Sequence, residues 1–313
     1  MGKSHIYFLA NKRYNSYLGY MKRHYGKRIQ KVTVDAGFTC PNRDGLLGTG
    51  GCIYCNNASF NPGYNSAKKT IALQIKEGID FLKRRYNADR YIVYFQPYSN
   101  TYAPLDKLKA IYEEALLHPQ VIGLTIGTRP DCIDVDKIAY LSDLAKTYDI
   151  TIEYGLESTS DETLQKINRC HDFQCFLDAV KLTASHTIKQ CAHIILGFPW
   201  ENRSHWLKEA DILSELPIDF LKIHQLHIVK DTPLGDQYLR NPFKLLTFRE
   251  YLDLIVTFLE RLNPNIILQR LAGEAPPHML IAPHWGMRAS EIVRKIEKEL
   301  VLRDTWQGKK YQK

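Results

Sequence analysis

Three cysteines stand in the sixteen residues CPNRDGLLGTGGCIYC: Cys40, then Cys52 after eleven residues, then Cys55 after two more. Clustered thiols are first of all a ligand set for a soft metal centre. Structural zinc closes itself with four ligands, usually in two tight pairs. Here Cys52 and Cys55 make one pair, Cys40 stands alone, and the next Cys or His downstream is His118. Three thiolates fit a [4Fe-4S] cluster whose fourth iron stays open to a substrate or cofactor. Gly45, Gly48, Gly50 and Gly51 let the intervening loop turn tightly and keep bulk away from that iron. Cys132, Cys170, Cys175 and Cys191 fall on separate strands and loops and read as ordinary thiols.

The elements that must hold this loop follow from periodicity. Apolar, β-branched runs recur at 31–36, 90–95, 121–127, 150–156, 190–197 and 219–229. Amphipathic stretches lie between them at 67–86, 104–117, 134–147, 160–168, 172–186 and 203–215, with Pro104 and Ser160-Asp161-Glu162 as helix starts. Six strands alternating with helices imply a parallel α/β sheet with right-handed crossovers. A partial (β/α)6 barrel over 31–265 is the expected fold, with an open doubly wound sheet as the structural alternative. The cysteines then follow strand one directly, at the strand ends where such barrels keep their chemistry. Residues 266–313, with a helix at 288–301, read as a small C-terminal extension, and 1–30 as a basic, aromatic N-terminal segment.

Among the 313 residues, 42 Lys and Arg stand against 34 Asp and Glu, a net charge of +8. Residues 1 to 34 hold Lys3, Lys12, Arg13, Lys22, Arg23, Lys27, Arg28 and Lys31 with no acid, so the remainder is neutral. The same stretch carries Tyr7, Phe8, Tyr14, Tyr17, Tyr20 and Tyr25. Cations interleaved with rings suit phosphates and stacked bases, and Arg13, Arg23 and Arg28 are candidate RNA contacts. The competing reading is an amphipathic helix whose tyrosines pack on the barrel. No apolar run is long enough for a membrane span and no signal peptide is evident, so the cytoplasm is the expected compartment and no membrane partner is expected.

With the motifs in place, the chain resembles the radical S-adenosylmethionine (SAM) enzymes. It is most similar to their YtqA/YhcC branch, which includes MnmL-type tRNA wobble-uridine modification proteins and is related to the catalytic subunit of Elongator. The resemblance rests on VDAGFTCPNRDG…GGCIYC, GTRPDC (127–132), EYGLES…LQKINRCHD (153–172), ILGFPWE (195–201), HQLHIVKDTPL (224–234) and QRLAGEAPPHMLIAPHW (269–285). The long first loop departs from the common CxxxCxxC spacing.

The resemblance implies that Cys40, Cys52 and Cys55 ligate the cluster, that SAM chelates its open iron, and that one electron splits SAM to a 5′-deoxyadenosyl radical. It implies Tyr54 against the adenine, Glu157 and His193 on the ribose, and Arg169 on the SAM carboxylate. Gly197-Phe198-Pro199 and Leu226 would border the adenine through their backbone. The strand-two motif that usually receives the SAM amino group reads FQPYSN here, leaving Gln96, Ser99 or main-chain carbonyls for that role. The competing reading of Glu157 and Arg169 is a structural ion pair, and of His193 a core histidine. Lys222, His224, Arg270, Glu274 and Trp285 are the substrate candidates.

For function, the resemblance implies tRNA: conversion of a 5-carboxymethylaminomethyl group on the wobble uridine towards 5-aminomethyl, completed by a downstream tRNA methyltransferase. A flavodoxin or ferredoxin would supply electrons. A radical suits a C–H bond that no side-chain base can deprotonate, and no Ser-His-Asp or paired-carboxylate constellation competes. The alternatives are a radical SAM enzyme of the tetrapyrrole-oxidase kind acting on a small molecule, and a non-catalytic iron-sulfur or zinc protein that binds RNA.

Overall fold

A computed structural model describes Phe8 and residues 12–57, 65–86 and 88–312; Lys3 and Tyr7 lie outside the described residues. Strands β1 (Gln30–Val34), β2 (Tyr91–Phe95), β3 (Val121–Thr128), β4 (Asp149–Glu157), β5 (Lys189–Leu196) and β6 (Phe220–Gln225) pair in parallel, each with the next. Between them run α2 (Ile71–Tyr86), α3 (Leu105–Leu116), α4 (Val135–Leu144), α5 (Asp161–Lys166), α6 (Phe173–Ala184) and α7 (Arg203–Ser214). Sequential order with a crossover helix at each step curls the sheet into a half-barrel. The expected α/β partial barrel is therefore observed.

Two details differ from the sequence expectation. The run at 219–229 breaks after Gln225, and Ile228–Val229 forms a separate short strand, β7. The sheet also has a seventh strand, β8 (Ile267–Arg270), parallel to β6, drawn from the segment expected to lie outside the barrel. Its four residues are too few to show a period, whereas α8 (Pro233–Arg240) and the buried α9 (Phe248–Arg261) supply the crossover that delivers it. β9 (Leu280–Ala282) pairs antiparallel with β7, and α10 (Ala289–Leu302) follows.

Helix starts follow capping chemistry. The Ser160, Asp172 and Asn202 side chains accept from the backbone N–H three residues on, opening α5, α6 and α7. The strands bury Val32, Val34, Val93, Phe95, Leu124, Ile126, Ile152, Tyr154, Ile194 and Leu196 in one continuous core. Among the described residues no helix is long and apolar enough to cross a membrane.

The N-terminal segment has a structural role that charge alone does not reveal. Helix α1 (Tyr17–Tyr25) crosses the N-terminal ends of the strands, opposite the cysteines. Tyr17 and Tyr20 meet Phe220, the first residue of β6, edge to face, and Tyr25 hydrogen-bonds Asp149, the first residue of β4. Tyr14 is buried in the core. Lys12, Arg13, Lys27 and Lys31 are ion-paired with Glu297, Asp304, Asp89 and Glu153. These tyrosines are packing residues, and four of the seven basic residues described in this segment are ion-paired.

Candidate active site

The cysteine loop is shaped by its own backbone. Arg43 N–H donates to the Cys40 carbonyl at 2.7 Å and Cys55 N–H to the Cys52 carbonyl at 3.0 Å, which makes two turns that fold the thiols over the C-terminal ends of the strands. Gly50 and Gly51 take φ of 81° and 83°. A Cβ on Gly51 would stand 2.7 Å from Arg43 Nε, whose guanidinium reaches on to the Cys55 carbonyl at 2.7 Å. Ile53 N–H donates to the Ile167 carbonyl and Leu234 N–H to the Ile53 carbonyl, pinning the loop between the segment after α5 and helix α8.

One cavity runs from these cysteines down the inner face of the sheet. At the cysteine end it is lined by Cys40, Cys52, Cys55, Arg43, Tyr54, Gln96, Tyr98, Arg129, Glu157 and Arg169. Arg169 Nη1 and Asn42 Nδ2 approach Cys52 Sγ at 3.5 and 3.6 Å, and Arg169 Nη2 donates to the Gly155 carbonyl and lies 3.7 Å from Glu157. Burial raises the Glu157 carboxyl, with Arg169 and the Tyr54 hydroxyl pulling the other way. Burial, reinforced by the Cys52 sulfur, pushes the Cys55 thiol up to about 11. Tyr98, Glu157, Asn168 and Cys170 all hold positive φ, so the backbone strain gathers around this end.

The far end is a polar knot inside the barrel. Glu153 has no exposed side chain; Lys31 Nζ holds one oxygen at 2.6 Å, while Lys222 Nζ and His193 Nε2 share the other at 2.8 and 3.0 Å. Lys222 also donates to Tyr94 Oη at 3.0 Å. Burial would raise the Glu153 carboxyl, but Lys222 and Lys31 hold it well below the carboxylate range. Burial lowers Lys222 to about 8 against the pull of Glu153, and burial with Lys222 lowers His193 to about 4. Glu153, Cys191 and His193 place potential ligand atoms within 4.8 Å of one another, but both Glu153 oxygens are already engaged by ammonium groups. Beyond the knot, His224, Gln225, His227, Arg270 and Glu274 line the wall.

The expected site residues therefore divide. Cys40, Cys52, Cys55, Tyr54, Gln96, Glu157, Arg169, His193, Leu226, Lys222, His224, Arg270 and Glu274 share this one cavity. Ser99 does not: it is buried behind the wall, 2.9 Å from Thr128 Oγ1, and accepts from Arg129 N–H. Trp285 is also excluded, because its indole donates to the Leu246 carbonyl and its ring packs on Tyr251 and Phe248. Arg13, Arg23 and Arg28 are kept apart at the opposite end: Arg13 pairs with Asp304, Arg23 bonds Asn15, and Arg28 lies 4.5 Å over the Tyr86 ring. Arg43, Tyr94, Arg129, Glu153, Gln225 and His227 line the cavity without having been singled out. Alternation was the available signal for Glu153, since 153, 155 and 157 share one face of β4.

The neutral histidines make a pH prediction. His193 and His227 are lowered to about 4, and His224 well below its ordinary value, mainly by burial. The unfolded chain therefore binds more protons between its histidine value of about 6.5 and about 4, so stability falls as pH drops through that window, by at most about 1.4 kcal/mol per pH unit for each histidine. Urea midpoints of the metal-free protein should fall from pH 7 to pH 5, and His227→Gln should flatten the slope. An unchanged slope would remove His227 from this account.

A half-barrel with three thiols over the strand ends is the architecture of a cluster-dependent enzyme. Residues 42–213 match the Radical SAM superfamily and residues 218–301 the Radical_SAM C-terminal domain, so the chain belongs to the radical SAM superfamily and is an enzyme. It is 34% identical to YtqA of Bacillus subtilis, across 98% of this chain and 95% of that one. A more distant likeness, 23% identity over 58% of this chain and 34% of the relative, is to a tRNA uridine(34) acetyltransferase of Methanocaldococcus infernus. Among solved structures, the archaeal Elp3 of the same species superposes with a TM-score of 0.69 at 16% identity, over 89% of this chain. The chain spans 64% of that Elp3 chain, and at this identity the likeness is one of fold.

The superfamily's cofactors are a [4Fe-4S] cluster and SAM, and the cavity fits them. Among the described residues its three cysteines are unpaired, and Arg169 Nε and Arg129 Nη1 are buried without a hydrogen-bond partner, available to an anionic group. Cys40, Cys52 and Cys55 would hold the cluster, with Arg169, Glu157 and Tyr54 facing SAM. The chemistry supplied by that bound pair is reductive cleavage of SAM to a 5′-deoxyadenosyl radical that removes a hydrogen atom. The residues themselves supply orientation and exclusion of water. A non-catalytic role falls with this family membership.

Proposed function

We propose that this radical SAM enzyme acts on the wobble uridine of tRNA, taking a 5-carboxymethylaminomethyl side chain towards 5-aminomethyl. The observation that carries the wobble-uridine part of the reading is the sequence likeness to a tRNA uridine(34) acetyltransferase, supported by the barrel shared with an Elp3; the side-chain conversion is what the resemblance to MnmL-type proteins implies. The site is compatible with it: the cysteine end would hold the cofactors, with His193 of the polar knot reaching them, and the wall of Lys222, His224, Arg270 and Glu274 would be left for the substrate. Cys40, Cys52 and Cys55 act as cluster ligands, Tyr54, Gln96, Glu157, Arg169 and His193 as SAM contacts, and Lys222, His224, Arg270 and Glu274 as substrate contacts.

Under this reading a one-electron donor such as flavodoxin or ferredoxin drives turnover, and a tRNA methyltransferase uses the product. Lys22, Arg23 and Arg28 are exposed on the barrel floor without carboxylate partners among the described residues. Phosphate contacts there would add affinity without touching the base.

The test is anaerobic. The reconstituted, reduced protein is given SAM with tRNA carrying or lacking the carboxymethylaminomethyl group, and deoxyadenosine and tRNA nucleosides are quantified by mass spectrometry. Deoxyadenosine that rises with the modified tRNA, alongside a changed wobble uridine, is the expected result. Deoxyadenosine indifferent to tRNA would discard the substrate while leaving the radical chemistry.

A further inference from the structure

The far end of the cavity carries more positive charge than it can neutralise internally. Glu153 is a single carboxylate, and Lys31 and Lys222 both draw on it. Arg270 lines the same wall and has no carboxylate partner among the described residues; its side-chain contact is His224 Nε2 at 3.4 Å. Glu274 also lines this wall with its Oε1 held by the Ala289 N–H, and it makes no ion pair with Arg270. His193, His224 and His227 are all held neutral, with Arg270 among the causes in each case, as expected in a positive field. Lys31, Lys222 and Arg270 stand against Glu153 and Glu274, so one cation is in surplus, and Arg270, paired with neither carboxylate, faces a cavity whose neutral walls, Tyr94, Gln225 and the histidines, offer further polar atoms. Gln225 is fixed by Gly273 on both sides of its amide, so the wall beside Arg270 is rigid.

We infer that Arg270, with Lys222 and His224 beside it, forms a subsite for a carboxylate on the substrate, lying beyond the cofactor end of the same cavity. Arg270 is the recognising group: a guanidinium presents paired N–H donors that match a carboxylate, and its exposure in the cavity lets it meet an incoming ligand. Lys222 supplies charge from behind while committed to Glu153, and His224 positions the guanidinium through its Nε2. This inference rests on the reading of the cavity as a substrate site, and it specifies the acid group of the carboxymethylaminomethyl side chain as the feature that is read.

The experiment has two arms on the holoenzyme with cluster and SAM. The first omits RNA: N-methylglycine and its primary amide are titrated by ligand-observed NMR. The acid should bind at least about tenfold more tightly than the amide, the scale of a hydrogen-bonded charge pair, and Arg270→Gln should bring the two within about twofold. Arg270→Lys should restore part of the difference. Equal binding of acid and amide by the wild type, or discrimination that survives Arg270→Gln, overturns the subsite. The second arm compares anticodon stem-loop RNA bearing the acid side chain with RNA bearing its amide. Discrimination in both arms supports subsite and substrate together. Discrimination of the small acid with no binding of either RNA supports the subsite and refutes tRNA. Arg270 is exposed, so its replacement is expected to leave the unfolding midpoint near wild type, which separates lost recognition from lost folding.

Discussion

Alanine at Cys40, Cys52 or Cys55 is expected to leave a folded chain that retains no complete cluster and makes no deoxyadenosine. Three protein thiolates serve four irons, so none is spare. The loop that presents them is held by other contacts: backbone turns at Cys40 and Cys52, Arg43 on the Cys55 carbonyl, and Ile53 clasped between Ile167 and Leu234. Removing one sulfur therefore removes a ligand and little of the fold. Cys170 is the informative control, because its thiol donates to Asn42 Oδ1 at 2.9 Å and Asn42 in turn approaches Cys52 Sγ. Cys170→Ala should load iron and sulfide like the wild type. The thiol of Cys55, pushed up to about 11 in the metal-free protein, must lose its proton on loading, so cluster assembly should release protons and become easier as pH rises. Iron and sulfide content, with the electron paramagnetic resonance of the reduced protein, decides the matter. A full cluster in Cys40→Ala would sink the ligand assignment.

How much of this was legible in the sequence depends on distance along the chain. The cysteine motif lies within sixteen residues, so local spacing was enough to find it, whereas Glu157 and Arg169 were reached through the family resemblance of the segments around them. The strands were visible as apolar runs because both faces of a parallel sheet are covered. Tertiary placement was not legible. The amphipathic pattern of α1 shows that one face is buried but not against what, and the barrel floor proved to be its partner. Trp285 has a residue type suited to a binding site, yet sixty residues separate it from Gln225, and the chain uses it to pack α9. Ser99 neighbours the cavity in sequence while its side chain turns behind the wall to Thr128. The knot at Glu153 was missed for another reason. It combines Lys31 from β1, Lys222 from β6 and His193 from β5, and strand register, not sequence spacing, brings them together.

That knot makes the largest stability prediction. Glu153 is completely buried, and its two ammonium partners are nearly or largely so. Taking such charges from water is costly, and the carboxylate offsets the cost only while it is present. Glu153→Ala should destabilise the protein by about 3–5 kcal/mol, the penalty for a buried charge stripped of its partner. Glu153→Gln preserves the shape and some hydrogen bonding but not the charge, so most of the loss should remain. Its pH dependence carries the signature. Lys222 already sits at about 8 with Glu153 beside it, and without that carboxylate burial lowers it further. A lysine whose folded value lies below its unfolded value of about 10.4 leaves the unfolded chain with more bound protons between the two, so stability rises with pH across that window. The Gln variant should therefore begin to regain stability at a lower pH than the wild type gains it. Adding Lys222→Met should recover part of the loss at neutral pH, because the uncompensated ammonium is then gone. Urea unfolding of the wild type, Glu153→Ala, Glu153→Gln and the Glu153→Gln/Lys222→Met double variant from pH 6 to 9 tests all three statements. A Glu153→Gln variant as stable as wild type at pH 7 would mean that water, not the carboxylate, solvates the two lysines in the folded protein.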